Sequence, residues 1–236
     1  MNEAKDILEL TKRVASNKFR LDDLVDEATA PIKDYTTTAS GFGAPIRTFA
    51  SLQSVANKMK FRRFLMSYAA KVNANQEAAQ DMFRLESFLT NTKNLELIAA
   101  TIDAALNAKA MRCSSILGYF AGDIIASKRN VEYKDFIIVN ALEHLLEDDL
   151  ANFVNLYEHC THENRHDGYR TCDMPEELSG LGAPLFQLEL TIEKLKSDLV
   201  IGFGVGGFEN VGNAWGAFRF NENSDYFYSL IKQCGL

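Results

Sequence analysis

The pentapeptide His162-Glu163-Asn164-Arg165-His166 holds the residue types and spacing best suited to chemistry. It reads H-E-x-x-H. On a helix this pattern sets two imidazole zinc ligands one turn apart, with a glutamate between them as base for a metal-bound water. Three of the chain's four histidines, His159, His162 and His166, fall here, together with Cys160 and Cys172. The candidate metal ligands are His159, His162, His166 and Cys172. Glu163 is the candidate catalytic base, and Glu176 a further carboxylate within reach.

The element that must position them is expected to be one long helix. Asn130 suits its N-cap and Glu132 its first turn, where a negative charge meets the positive end of the helix dipole. Val139, Leu142, Leu146, Leu150, Phe153 and Tyr157 recur as its buried stripe. Continued through residue 166, the helix puts His159, His162 and His166 at about 0°, −60° and −20° on the wheel, at roughly 100° per residue. A shared metal is then geometrically possible. The apolar stripe, however, centres near about 130° on the same wheel, so the imidazoles are expected to face water. Arg165 adds a positive charge inside the motif, Asp167-Gly168 follows it at once, and no third-ligand pattern follows. The favoured reading is a polar helix end whose histidines complement the dipole, with no cofactor. A zinc-dependent hydrolase is the alternative.

The other candidate sites are weaker. Gly202-Phe203-Gly204-Val205-Gly206-Gly207 resembles a phosphate cradle, but a second strand-like run follows it where a helix N-terminus would be needed. No G-x-S-x-G elbow occurs. Cys113 reads as core, and Asp148-Asp149 as a surface acid pair with no convergent partner.

Around these residues the pattern is mainly α. Ile7, Leu8, Thr11 and Val14 form an N-terminal stripe, and Leu21, Leu24 and Val25 start another. Pro31 and the small-residue run from Thr36 to Pro45 read as a linker. Leu52, Val55, Met59, Phe64 or Leu65, Tyr68 and Val72 are expected on one helix side. Ala78, Met82, Leu85 and Leu89 continue on a further helix. Asn91 to Asn94 offer caps before Leu95, Ile98, Ile102 and Leu106, and apolar period continues through Cys113 to Ile124. Gly118 and Gly122 mark either a close helix approach or a kink. After Pro175 the texture changes to a helix over 186–196, a strand-like run over 199–203, a glycine-rich loop, a second strand-like run over 215–220 and a helix over 225–232. That is the order of the back half of a winged-helix module, with the hairpin as wing. The expected architecture is a helical bundle with a small C-terminal winged-helix-like α+β element. Its divisions are 1–51 (N-terminal helices and linker), 52–172 (helical body) and 173–236.

Composition bounds the function. The 236 residues are 47% hydrophobic, enough for a sizeable core, and the net charge is −7. Residues 1–72 carry twelve Lys/Arg and eight Asp/Glu, while 173–236 carry nine Asp/Glu and four Lys/Arg. So acidic a C-terminal module has little with which to contact phosphate, which argues against nucleic acid as partner. The basic run Lys58 to Arg63 reads as a solvated helix face. No apolar run reaches the roughly 18 residues needed to span a bilayer, and the first ten residues do not read as a secretory signal. The four cysteines include no C-x-x-C pair, so a reducing cytoplasm is expected.

Three stretches carry a resemblance: Lys60-Phe61-Arg62-Arg63-Phe64-Leu65, Ile102-Asp103 to Lys109 continuing to Ile116-Leu117-Gly118, and Tyr133-Lys134-Asp135-Phe136 leading to Asp148-Asp149-Leu150 with the strand pair and last helix behind it. Over residues 55–236 the layout resembles uncharacterised bacterial and phage-associated helical proteins of a domain-of-unknown-function family. The resemblance implies a helical body with a winged-helix-like end and transfers no functional residues. The expected function is a non-catalytic protein-interaction or regulatory module, linked to mobile elements or phage response, acting on a protein partner or as a homo-oligomer. A DNA-binding transcriptional regulator is the further alternative.

Overall fold

The computed structural model describes residues 3–15, 20, 23–25, 55–74, 87–127, 129–163, 165–166, 169–171, 181–203 and 218–235. The described chain is mainly helical. It divides into two compact units, Met1–Asp135 and Phe136–Leu236. The boundary falls in the first turn of a helix.

In the first unit, α1 (Glu3–Ala15), α2 (Val55–Ala74), α3 (Thr92–Asn107) and α4 (Met111–Ser127) share one core. Ile7, Leu10 and Val14 of α1 are buried. Thr11 bonds the Tyr68 hydroxyl of α2 at 2.6 Å, and burial pushes that phenol well above its usual pKa. Phe61, Phe64, Leu65, Tyr68 and Val72 form the buried row of α2. Val55 and Met59, expected in that row, are 74% and 49% exposed. They share a second apolar row with Met66, on the opposite side of the wheel, so counting spacings of three to five merged two faces into one. Leu52 and the segment holding Ala78, Met82 and Leu85 lie outside the described residues, as does the linker.

Asn91 caps α3 as expected, accepting from the Lys93 amide. The apolar period that continues beyond it is two helices, interrupted by the extended Ala108. Gly118 and Gly122 mark a close approach. A Cβ on Gly118 would lie 2.1 Å from the Phe64 carbonyl oxygen, and one on Gly122 would lie 2.9 Å from the Tyr68 carbonyl oxygen.

The expected long helix is α5 (Tyr133–His144) and α6 (Glu147–Glu163). Asn130 is not the cap of α5. Asp135, with no side-chain exposure, reaches back to the Glu132 amide at 2.7 Å and holds Arg129 at 2.6 and 2.8 Å. The break before α6 has the same cause. Asp149 accepts from the Leu146 amide at 2.9 Å, so the acidic run Glu147-Asp148-Asp149 opens a new helix. Leu146, assigned to the stripe, is 46% exposed.

The second unit contains α6, β1 (Arg165–His166), β2 (Tyr169–Thr171), α7 (Leu185–Ser197), β3 (Gly202–Phe203), β4 (Phe218–Phe220) and α8 (Glu222–Gln233). The strands are short and antiparallel, in the order β1-β2-β4-β3, with Arg170 opposite Phe220 and Phe203 opposite Phe218. The β1–β2 pair was not expected. Where a strand had been read from residue 199, Leu199 to Ile201 instead close α7. The Val200 amide bonds the Leu195 carbonyl at 2.9 Å and the Leu199 amide the Lys196 carbonyl at 3.1 Å. That is a Schellman cap, with Leu199 at φ 61° in the position that favours glycine. Asn221 and Ser224 form a capping box at the start of α8. The core here is aromatic: Phe153 of α6 lies 5.0 Å from Phe227 and 6.1 Å from Phe220, centroid to centroid.

Candidate functional site

The H-E-x-x-H spacing is not realised on one helix. His162 and Glu163 end α6, and His166 is already in β1, where it pairs with Tyr169 of the β1–β2 ribbon. The one-turn spacing that would aim both imidazoles at one ion requires unbroken helix, and Glu163 is its last residue. The side chains of His162, Glu163 and His166 lie outside the described residues, as do Cys172 and Glu176. Among the described residues, no three His, Cys, Asp or Glu side chains converge as metal ligands.

The expected outward projection fails for His159. It is half-buried with its Nε2 sealed from solvent, and the adjacent Cys160 is fully buried. The stripe residues of α6 itself, Leu150, Phe153 and Tyr157, keep the expected phase against His159, but burial on α6 is wider than that stripe: Asn152 and Leu156, beside His159 on the wheel, and Cys160 are buried as well.

The Asp148-Asp149 pair divides by role. Asp149 is buried and convergent, contrary to the sequence reading. Besides capping α6, it accepts from the Thr191 hydroxyl at 2.8 Å and from Lys194 Nζ at 2.6 Å. Asn152 donates to the same Thr191 hydroxyl at 3.1 Å. This network docks α7 on α6 and fixes the rotation of α7. At the other end of α6, Tyr157 stacks on Tyr228 at 4.1 Å and donates to Asp225 at 2.6 Å. Tyr228 donates to Glu158 at 2.7 Å; this bond, helped by burial, pushes its pKa up to about 12.

With Leu188, Ile192 and Leu195 buried, α7 turns a second row outward. Phe186 is 66% exposed and Leu190 46% exposed. Glu193 and Ser197 complete the row, and all four fall within about 60° of the wheel. No lysine belongs to it. Lys194 is drawn to Asp149, and Lys196, itself buried, bonds Glu193 at 3.0 Å. Arg219, the one arginine in 173–236, lies across Gly202, where an added Cβ would meet its Nε at 2.9 Å. The sequence reading named only the buried row of α7. The signal for the other was available in Phe186 and Leu190, an i, i+4 apolar pair out of phase with Leu188 and Ile192.

Among the described residues, no helix is long and apolar enough to cross a membrane. The chain matches no protein-family model, no curated protein and no solved structure.

Proposed function

We propose that the chain is a non-catalytic protein-interaction or regulatory module, acting in the cytoplasm, and that its C-terminal unit is a winged-helix-like element used for protein contact. The strand order β2-β4-β3 and the entry of α7 directly into β3 support the winged-helix-like reading. In such an element α7 stands where a DNA reader places its recognition helix.

The observation that carries the reading is the outward face of α7. A DNA reader needs cations there for phosphate and donors for base edges. This face instead offers Phe186 and Leu190 beside Glu193, with both lysines of the helix tied to carboxylates. An exposed aromatic–aliphatic pair at i, i+4 on a helix face is the kind of anchor that enters an apolar groove of a protein partner. A link to mobile elements or phage response rests on the resemblance of residues 55–236 alone.

Two measurements on the full chain test this. Sedimentation velocity is expected to show a self-associated species, or a complex with a partner, that Phe186→Asp dissociates without lowering the melting temperature. Fluorescence anisotropy with random duplex DNA is expected to show no binding that weakens steeply with salt. Salt-sensitive duplex binding that survives Phe186→Asp would replace this reading with that of a transcriptional regulator.

A further inference from the structure

α2 presents a second outward face, of opposite electrostatic character. Val55, Met59 and Met66 are 74%, 49% and 55% exposed, and with the exposed Ala70 they fall within about 60° of the wheel. Every charged residue of the helix is basic: Lys58, Lys60, Arg62, Arg63 and Lys71. Lys60 is bonded to the Leu106 carbonyl, and Lys71 to Asp123 and Tyr119. Lys58 and the exposed Arg63 flank the apolar row on either side.

We propose that this face docks an acidic amphipathic segment of a protein partner. The occupant must cover methionine and valine and also supply negative charge. A second copy of α2 would set Lys58 and Arg63 against like charges. Nucleic acid would meet the cations but leave the apolar row uncovered. A lipid surface would want aromatic or leucine side chains outward, and Phe61, Phe64 and Leu65 are spent in the core. An acidic helix with an apolar stripe satisfies both needs, and unbranched methionines adapt to its side chains. The inference is independent of the α7 face, since it concerns another unit and another charge.

The test uses the full chain and a fluorescent peptide of about 18 residues with Leu on one face and Glu on the other. Its counterpart with Lys for Glu and phosphatidylglycerol vesicles are the comparators. The acidic peptide is expected to bind saturably and to weaken as salt rises, while the basic peptide and the vesicles do not bind. Arg63→Glu and Met59→Ser are each expected to weaken binding about tenfold, and the exposed Lys93→Glu to leave it unchanged. Circular dichroism melting verifies that the variants fold. No saturable binding, equal binding of the basic peptide, vesicle binding, or an equal loss in Lys93→Glu would overturn the proposal.

Discussion

Asp149 on α6 draws Lys194 of α7 to 2.6 Å, and this contact helps decide what α7 shows to solvent. The carboxylate is buried and also serves the Leu146 amide and the Thr191 hydroxyl. Removing it leaves a lysine, a hydroxyl and a helix N-terminus without their acceptor. Asp149→Ala is expected to destabilise the second unit by about 2–4 kcal/mol, read by urea denaturation. A change below about 0.5 kcal/mol, the level of ordinary surface substitutions, would contradict the network's role.

Gly118 and Gly122 should resist the substitution that helix propensity favours. In an exposed helix Gly→Ala gains about 1 kcal/mol. Here the new methyl would lie 2.1 Å from the Phe64 carbonyl oxygen, which is backbone and cannot step aside. Gly118→Ala is expected to cost about 3 kcal/mol or more by overpacking. Gly122→Ala should cost less, because its nearest neighbours include the Lys71 side chain. Equilibrium unfolding of both variants checks the order.

Leu199 offers a change in the opposite direction. Its φ of 61° is left-handed backbone, unfavourable for a residue with a Cβ by about 1–2 kcal/mol. The side chain is 47% exposed, so little packing is lost on its removal. Leu199→Gly is expected to raise stability by about 1 kcal/mol, offset in part by the greater entropy of an unfolded glycine. Thermal melting reads the sign.

Tyr228 sets an alkaline limit. Its bond to Glu158 and its burial hold the phenol protonated to about pH 12, against a usual pKa of 10.0. The folded state therefore keeps a proton that the unfolded state loses first. The resulting stabilisation is complete below pH 10.0 and is lost as pH rises towards about 12. Tyr228→Phe should flatten this part of the stability profile. Phenolate absorbance of the folded protein should show Tyr228 titrating late beside the buried Tyr68, and Glu158→Gln should move only the Tyr228 step earlier.

The buried row of α7, most of that of α1 (Ile7, Thr11 and Val14) and the order of the last elements were legible because each depends on local period and cap chemistry. Asn91 is an example: its own side chain makes the cap that its position suggested. The division of α5 from α6 was hidden. Leu145 and Leu146 sustain the apolar spacing across the break, and only the reach of Asp149 back to Leu146 marks it. The buried Nε2 of His159 has a different source: burial on α6 extends past the counted stripe to Asn152 and Leu156, which lie beside His159 on the wheel. The two faces of α2 were merged for a related reason. Val55 and Met59 fit a tolerant spacing rule, but only packing against α4 selects which row is core.

The α7 face is tested most directly by a photoreactive phenylalanine analogue placed at position 186 of the full chain. Irradiation in the native cell is expected to yield a discrete protein adduct, to a second copy or to another chain, that Leu190→Asp abolishes. Adducts to nucleic acid, or no adduct from a folded and abundant protein, would contradict the assignment of this face to protein contact.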